Sequence, residues 1–119
     1  MISTAHTLPR TLLRLLVPIL GLALSGATAA AGDAAAGKEK SASCIACHGA
    51  DGNSQAPTFP KLAGQHADYI VHALQGYKSG SRKNAIMAPL AVNLSRQDME
   101  DLAAWFASQD GLHTLEGQR

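Results

Sequence analysis

Cys44-Ile45-Ala46-Cys47-His48 decides how this chain is read. Two cysteines two residues apart, with histidine directly after them, form the attachment motif of a c-type haem. The spacing suits the chemistry. Each thiol adds across one vinyl group to give a thioether, and the adjacent imidazole then lies under the iron. The chain has two cysteines in all, so neither has a competing partner elsewhere. Three other uses of the pair fit less well. A dithiol redox motif sits next to a βαβ pattern, and nothing here reads as strands alternating with helices. A zinc site needs two more ligands at finger-like spacing, whereas His66 and His72 fall within one amphipathic segment. A disulfide between cysteines this close would close almost no loop and stabilise little.

The segment 1–31 reads as a secretory signal peptide. Arg10 and Arg14 form a positive region, Leu15 to Ala27 an apolar run of thirteen residues, and Ala27-Thr28-Ala29-Ala30-Ala31 a small-residue cleavage region. A membrane span needs about 20 apolar residues. This run is shorter, contains Pro18 and Gly21, and lacks a basic stop-transfer cluster. An uncleaved anchor is the competing reading. Cleavage after residue 29, 30 or 31 leaves 32–119 as one small domain, with export to the periplasm and no stable membrane insertion expected. From Gly32 onward there are eight Lys or Arg and nine Asp or Glu. That balance offers no basic stripe for nucleic acid.

A domain of this size buries only about 60–65 % of its unfolded surface. After residue 31 its aromatics are Phe59, Tyr69, Tyr77, Trp105 and Phe106. A central haem would supply the missing apolar volume, so folding and cofactor binding should be linked.

The pattern reads as all-α. Asp33 is a plausible N-cap for a helix over roughly 34–43 that delivers the chain to Cys44. The run from Gly49 to Ser54 is turn chemistry, followed by a loop punctuated by Pro57 and Pro60. A second helix, about 65–79, places Ala67, Ile70, Val71, Leu74 and Tyr77 on one stripe and stops at Gly80. Ser95 and Asp98 resemble a capping box, with Leu94 stapled on Met99, before a third helix carrying Leu102, Trp105 and Phe106 and stopping at Gly111.

His48 leaves the second axial position to be filled. The candidates are His66, His72, His113, Met87, Met99, or nothing. His72 lies off the apolar stripe, His66 starts a helix, His113 follows the last helix in a tail expected to fray, and Met99 serves the staple. Met87 lies in Asn84-Ala85-Ile86-Met87-Ala88-Pro89-Leu90, an apolar stretch read as a loop between helices. Such a loop on a small domain should cover something. Covering a haem face and presenting a thioether to iron explains it.

These residues carry a resemblance. The chain looks like a class I c-type cytochrome of the small bacterial monohaem kind, and like one domain of the periplasmic dihaem cytochromes. The matching stretches are 32–38, Cys44 to Gly49 with Asp51-Gly52, Phe59 to Gln65, Met87, and Asn93-Leu94-Ser95 leading into 102–107. The resemblance implies the cytochrome c fold, three to four helices wrapped around one covalent haem c and its iron, with the first and last helices crossing at Gly37 beside Trp105. It also implies that the Pro60 carbonyl accepts a hydrogen bond from His48 Nδ1, and that Leu62 packs on the haem. Lys40, Ser41 and Ala42 stand where many relatives place a large aromatic, which implies looser packing there. With His48 and Met87 both on iron, the reading is a non-enzymatic periplasmic one-electron carrier. Its partners would be redox proteins: a quinol-oxidising complex or dehydrogenase as donor and a terminal oxidase as acceptor. A dedicated dehydrogenase subunit is the alternative, and a five-coordinate haem enzyme or sensor a third.

Overall fold

A computed structural model describes residues 32–113; the signal-peptide reading lies outside them. The described residues form α1 (Ala34–Lys40), α2 (Ala42–His48), α3 (Ala67–Ser79), α4 (Met87–Ala91) and α5 (Arg96–Ala107). No strand occurs among them.

The expected first helix is two. Asp33 Oδ1 caps α1 by accepting from the Ala35 and Ala36 N–H groups at 2.8 and 3.2 Å. The axis breaks at Ser41, a buried hydroxyl that donates to the Lys38 carbonyl at 2.7 Å. Such side-chain bonding to nearby backbone competes with the regular ladder. The break re-aims α2, whose last residue is His48. The Lys40–Ala42 segment is also not loose. Lys40 Nζ reaches Asp98 at 2.8 Å and Asp101 at 2.5 Å on α5, a polar tie where the resemblance implies looser packing.

Helices α1 and α5 make the main helix crossing, and Gly37 sits in it because nothing larger fits. A Cβ there would lie 1.9 Å from the Asp101 carbonyl oxygen and 2.9 Å from Trp105 Cβ. Asp101, 3 % exposed, accepts from the Asp33 N–H and the Gln97 amide, each at 2.8 Å, as well as from Lys40. A buried carboxylate with all these donors is a satisfied one.

The capping box of α5 is formed, with Asp98 N–H donating to Ser95 Oγ at 3.1 Å and Ser95 N–H to Asp98 Oδ2 at 2.9 Å. Met99, Leu102, Ala103 and Phe106 of α5 pack with Ile70, Leu74 and Ala91 in the core, and Leu94 packs against them as the staple requires. The C-terminal stop differs from expectation. Helix α5 closes on Ser108, and Gly111 instead lets the chain pass Ala63, where a Cβ would meet Ala63 Cβ at 2.5 Å. The tail is pinned there, because the Leu112 N–H donates to the Ala63 carbonyl at 2.8 Å. Helix α3 begins two residues later than expected, with His66 at its N-cap, and ends at left-handed Gly80.

Candidate functional site: a thiol and imidazole cavity

Helix α2 ends on its functional residue. Gly49, whose φ is +85°, closes the helix, and Gly52 turns the chain back toward α5. Gly52 has a φ of +84°, and its carbonyl accepts from the Leu62 and Ala63 N–H groups at 2.8 and 3.2 Å. A side chain there would strike Ala63 and Phe106, so glycine is required by conformation and by space. Ser54, also buried, donates to the Cys47 and Ala56 carbonyls and ties the loop back to α2. Residues 60–63 are thereby fixed against the motif.

His48 is buried, at 6 % exposure, and its Nδ1 lies 2.8 Å from the Pro60 carbonyl oxygen. A carbonyl can only accept, so Nδ1 carries the proton and donates. Nε2 is left as the nitrogen with a free lone pair. A metal-bound imidazole normally has such a partner for its second nitrogen, which fixes ring plane and tautomer.

Cys44, Cys47 and His48 line a cavity of about 370 Å³ with Leu62 and Met87. Both cysteines are half-buried, and no disulfide joins them. Before haem attachment, burial pushes the Cys44 thiol above its ordinary value, unlike an activated thiolate. Among the described residues no group of three or more His, Cys, Asp or Glu is arranged to hold a metal ion, and the zinc reading has no site there. The remaining walls are largely apolar, with Ile70 and Leu74 from α3 and Leu102 and Phe106 from α5. Two thiols, one imidazole nitrogen and a thioether in an apolar cavity are soft and borderline donors. They match a covalently tethered iron porphyrin and do not match a hard cation.

Met87 is not in a loop. It opens α4, a short helix whose entry is capped by Asn84: Oδ1 accepts from the Ile86 and Met87 N–H groups at 2.9 and 3.0 Å. The sequence reads as a loop because five residues are too few to show a helical period. Of the residues weighed for the second axial position, Met87 lines the cavity. His66 and His72 are exposed on or beside α3, His113 is exposed 3.3 Å from Asp110, and Met99 is buried in the core. Further lining residues include Tyr69, Tyr77, Arg82 and Asn84. Tyr69 lies off the apolar stripe of α3, and Arg82 reads as one of several cations at a helix end.

The sequence profile of the family described as Cytochrome c matches residues 34–110. Cytochrome c4 of Pseudomonas aeruginosa is 56 % identical over 91 residues, covering 76 % of this chain and 45 % of its own length. Cytochrome c-554(548) of Halomonas halodenitrificans is 47 % identical over 83 residues, 67 % of this chain and 100 % of that one. Among solved structures, reduced recombinant cytochrome c4 from Pseudomonas stutzeri superposes with a TM-score of 0.65 at 52 % identity, over 69 % of this chain and 48 % of that one. The chain thus spans about half the length of the cytochrome c4 relatives it matches. This chain belongs to the cytochrome c family and has the cytochrome c fold. Its cofactor is one covalent haem c with iron, which Cys44, Cys47 and His48 fit. It is a c-type cytochrome.

Proposed function

We propose that the domain is a periplasmic one-electron carrier in which His48 and Met87 are the two axial ligands. The observation that carries this reading is the position of Met87 on the wall of the cavity that also takes both thiols and the His48 ring, while the competing histidines lie outside it. The haem, when bound, supplies an iron that changes between Fe(III) and Fe(II) by one electron. The protein's part is to hold ligands and exclude water. His48 Nε2 would donate to iron while the Pro60 carbonyl holds Nδ1–H. Met87 supplies a thioether, which favours Fe(II) and raises the potential relative to a second histidine. Leu62, on the cavity wall, would pack on the porphyrin. Two strong axial ligands leave no open position for a substrate, which suits transfer over catalysis.

Electrons leave through a surface that is apolar in this protein. Ile45, Ile86 and Leu90 are exposed large hydrophobics, and the latter two line the cavity as well. Such a patch suits brief docking of a redox partner. We assign the donor to a quinol-oxidising complex or dehydrogenase and the acceptor to a terminal oxidase. The segment 1–31, read as an export signal, supports the periplasmic location. No described helix is long and apolar enough to cross a membrane.

Optical spectra of the purified protein in both oxidation states test this reading. The expected result is a low-spin, six-coordinate haem with the weak red absorption of methionine-ligated ferric iron. A high-spin spectrum that binds added cyanide or carbon monoxide without delay would replace the carrier with the five-coordinate reading.

A further inference from the structure

The cavity is lined by two cations, Lys61 and Arg82, and by no carboxylate. Haem carries two propionates at one edge of an otherwise apolar ring. A carboxylate placed at the rim of an apolar cavity needs a cation or strong donors to offset its lost hydration. The two cations are not equivalent. Lys61 faces Asp51, whose carboxyl is held below its ordinary value chiefly by the Asn53 amide and in smaller part by Lys61. Among the described residues no carboxylate lies at ion-pair distance from Arg82.

Arg82 is oriented all the same. Its Nη1 donates to Tyr69 Oη at 3.2 Å, and its guanidinium carbon lies 5.0 Å from the centre of the Tyr77 ring and 6.0 Å from that of Tyr69. Its backbone N–H donates to the Gly76 carbonyl at 3.0 Å, which fixes the chain just past the end of α3. Both tyrosines line the same cavity. An arginine stacked on aromatic faces keeps its planar fork of donors in one orientation. A single bond to Tyr69 leaves most of its five N–H groups free for an anion. Bidentate recognition of a planar carboxylate is what that fork does best.

We propose that Arg82, aligned by Tyr69 and Tyr77, receives a haem propionate at the rim of the cavity and keeps there a positive charge that raises the reduction potential of the iron. The proposal rests on haem occupying the cavity through Cys44, Cys47 and His48. It does not rest on Met87 being a ligand. The sign follows from Coulomb's law, since a cation near the iron disfavours the extra positive charge of Fe(III).

The test compares the holoprotein with Arg82→Gln and Arg82→Lys. Arg82 is exposed, and any residue but proline keeps the backbone bond to Gly76, so both variants should fold. Pyridine haemochrome assay confirms one covalent haem in each, and the red methionine band reports on Met87 separately. Arg82→Gln is expected to lower the potential, and Arg82→Lys, which keeps the charge, to hold it close to wild type. An unchanged potential in Arg82→Gln overturns the proposal, as does a fall in Arg82→Lys equal to that in Arg82→Gln. The propionate bending band of the resonance Raman spectrum is a second readout, independent of the methionine. It should move in Arg82→Gln, and an unmoved band overturns the proposal even where the potential changes.

Discussion

Two methionines in this domain have opposite environments, and single substitutions separate them. Met99 is 2 % exposed in the core, with no share of the cavity wall. Met99→Leu nearly conserves volume and is expected to leave the haem spectrum unchanged at a cost under about 1.5 kcal/mol, read by chemical denaturation. Met87→Ala, half-buried on the cavity wall, is expected to abolish the red ferric band and admit exogenous ligands. A band that survives Met87→Ala removes Met87 as ligand. Gly37 is tightly constrained where the helices cross, with a Cβ placed 1.9 Å from the Asp101 carbonyl oxygen. Gly37→Ala must therefore push α1 off α5. We expect it to destabilise the holoprotein by at least about 1–3 kcal/mol, visible as a lowered denaturation midpoint with the haem still attached.

At the scale of elements, the joint between α1 and α5 is ionic at one end as well as tightly packed. Hydrogen bonds from Lys40, the Asp33 N–H and Gln97 hold the Asp101 carboxyl down at about 2, against about 3.9 for a free aspartate. Its folded value is depressed. The stability it contributes is therefore fully present above the unfolded value and is lost as pH falls from about 4 toward 2. Lys40, raised by the same contacts with Asp101 and Asp98, behaves in the opposite sense and loses its contribution as pH rises through its elevated value. Thermal melts of Lys40→Met and wild type between pH 7 and pH 2 check this. The gap in Tm should be widest near neutrality and narrow toward pH 2 as Asp101 is protonated, with Asp98, held lower still, keeping part of it, and a gap independent of pH would mean that the ion pair is not its source.

For the whole molecule, the core elements meet around the cavity. Ile70, Leu74, Leu102 and Phe106 belong both to the core and to the cavity wall. Without the haem these side chains face a void, and an unfilled apolar cavity is costly. Cys44→Ser with Cys47→Ser, which removes both tethers, is expected to give a chain with weak, broad thermal unfolding that free haem sharpens by mass action. A cooperative transition equal to that of the holoprotein would show that the polypeptide folds alone. The apolar docking surface around Ile45, Ile86 and Leu90 makes a further demand on rate. Electron transfer with the physiological partner should depend only modestly on ionic strength, and a fall of about a hundredfold or more between low and physiological salt would point to a charge-driven dock.

The motif at 44–48 and the capping box at 95–98 were legible because each is a short-range arrangement whose chemistry lies in consecutive residues. The amphipathic stripe of α3 was legible because thirteen residues show a period, whereas the five of α4 do not. The break at Ser41 escaped for a similar reason. Serine is neutral enough in a helix that only its buried bond to the Lys38 carbonyl marks the bend. By itself the sequence determined the cofactor and the residues that fit it, Cys44, Cys47 and His48, since covalent attachment is written in five adjacent residues. Only the tertiary structure decided which side chains share the cavity with them. It set Met87 on that wall and the histidines off it, brought the Pro60 carbonyl to His48 Nδ1, and stacked Arg82 on Tyr69 and Tyr77. His48 and Pro60 are 12 positions apart and Tyr69 and Arg82 are 13 apart, and no local pattern encodes a contact made by folding the chain back on itself.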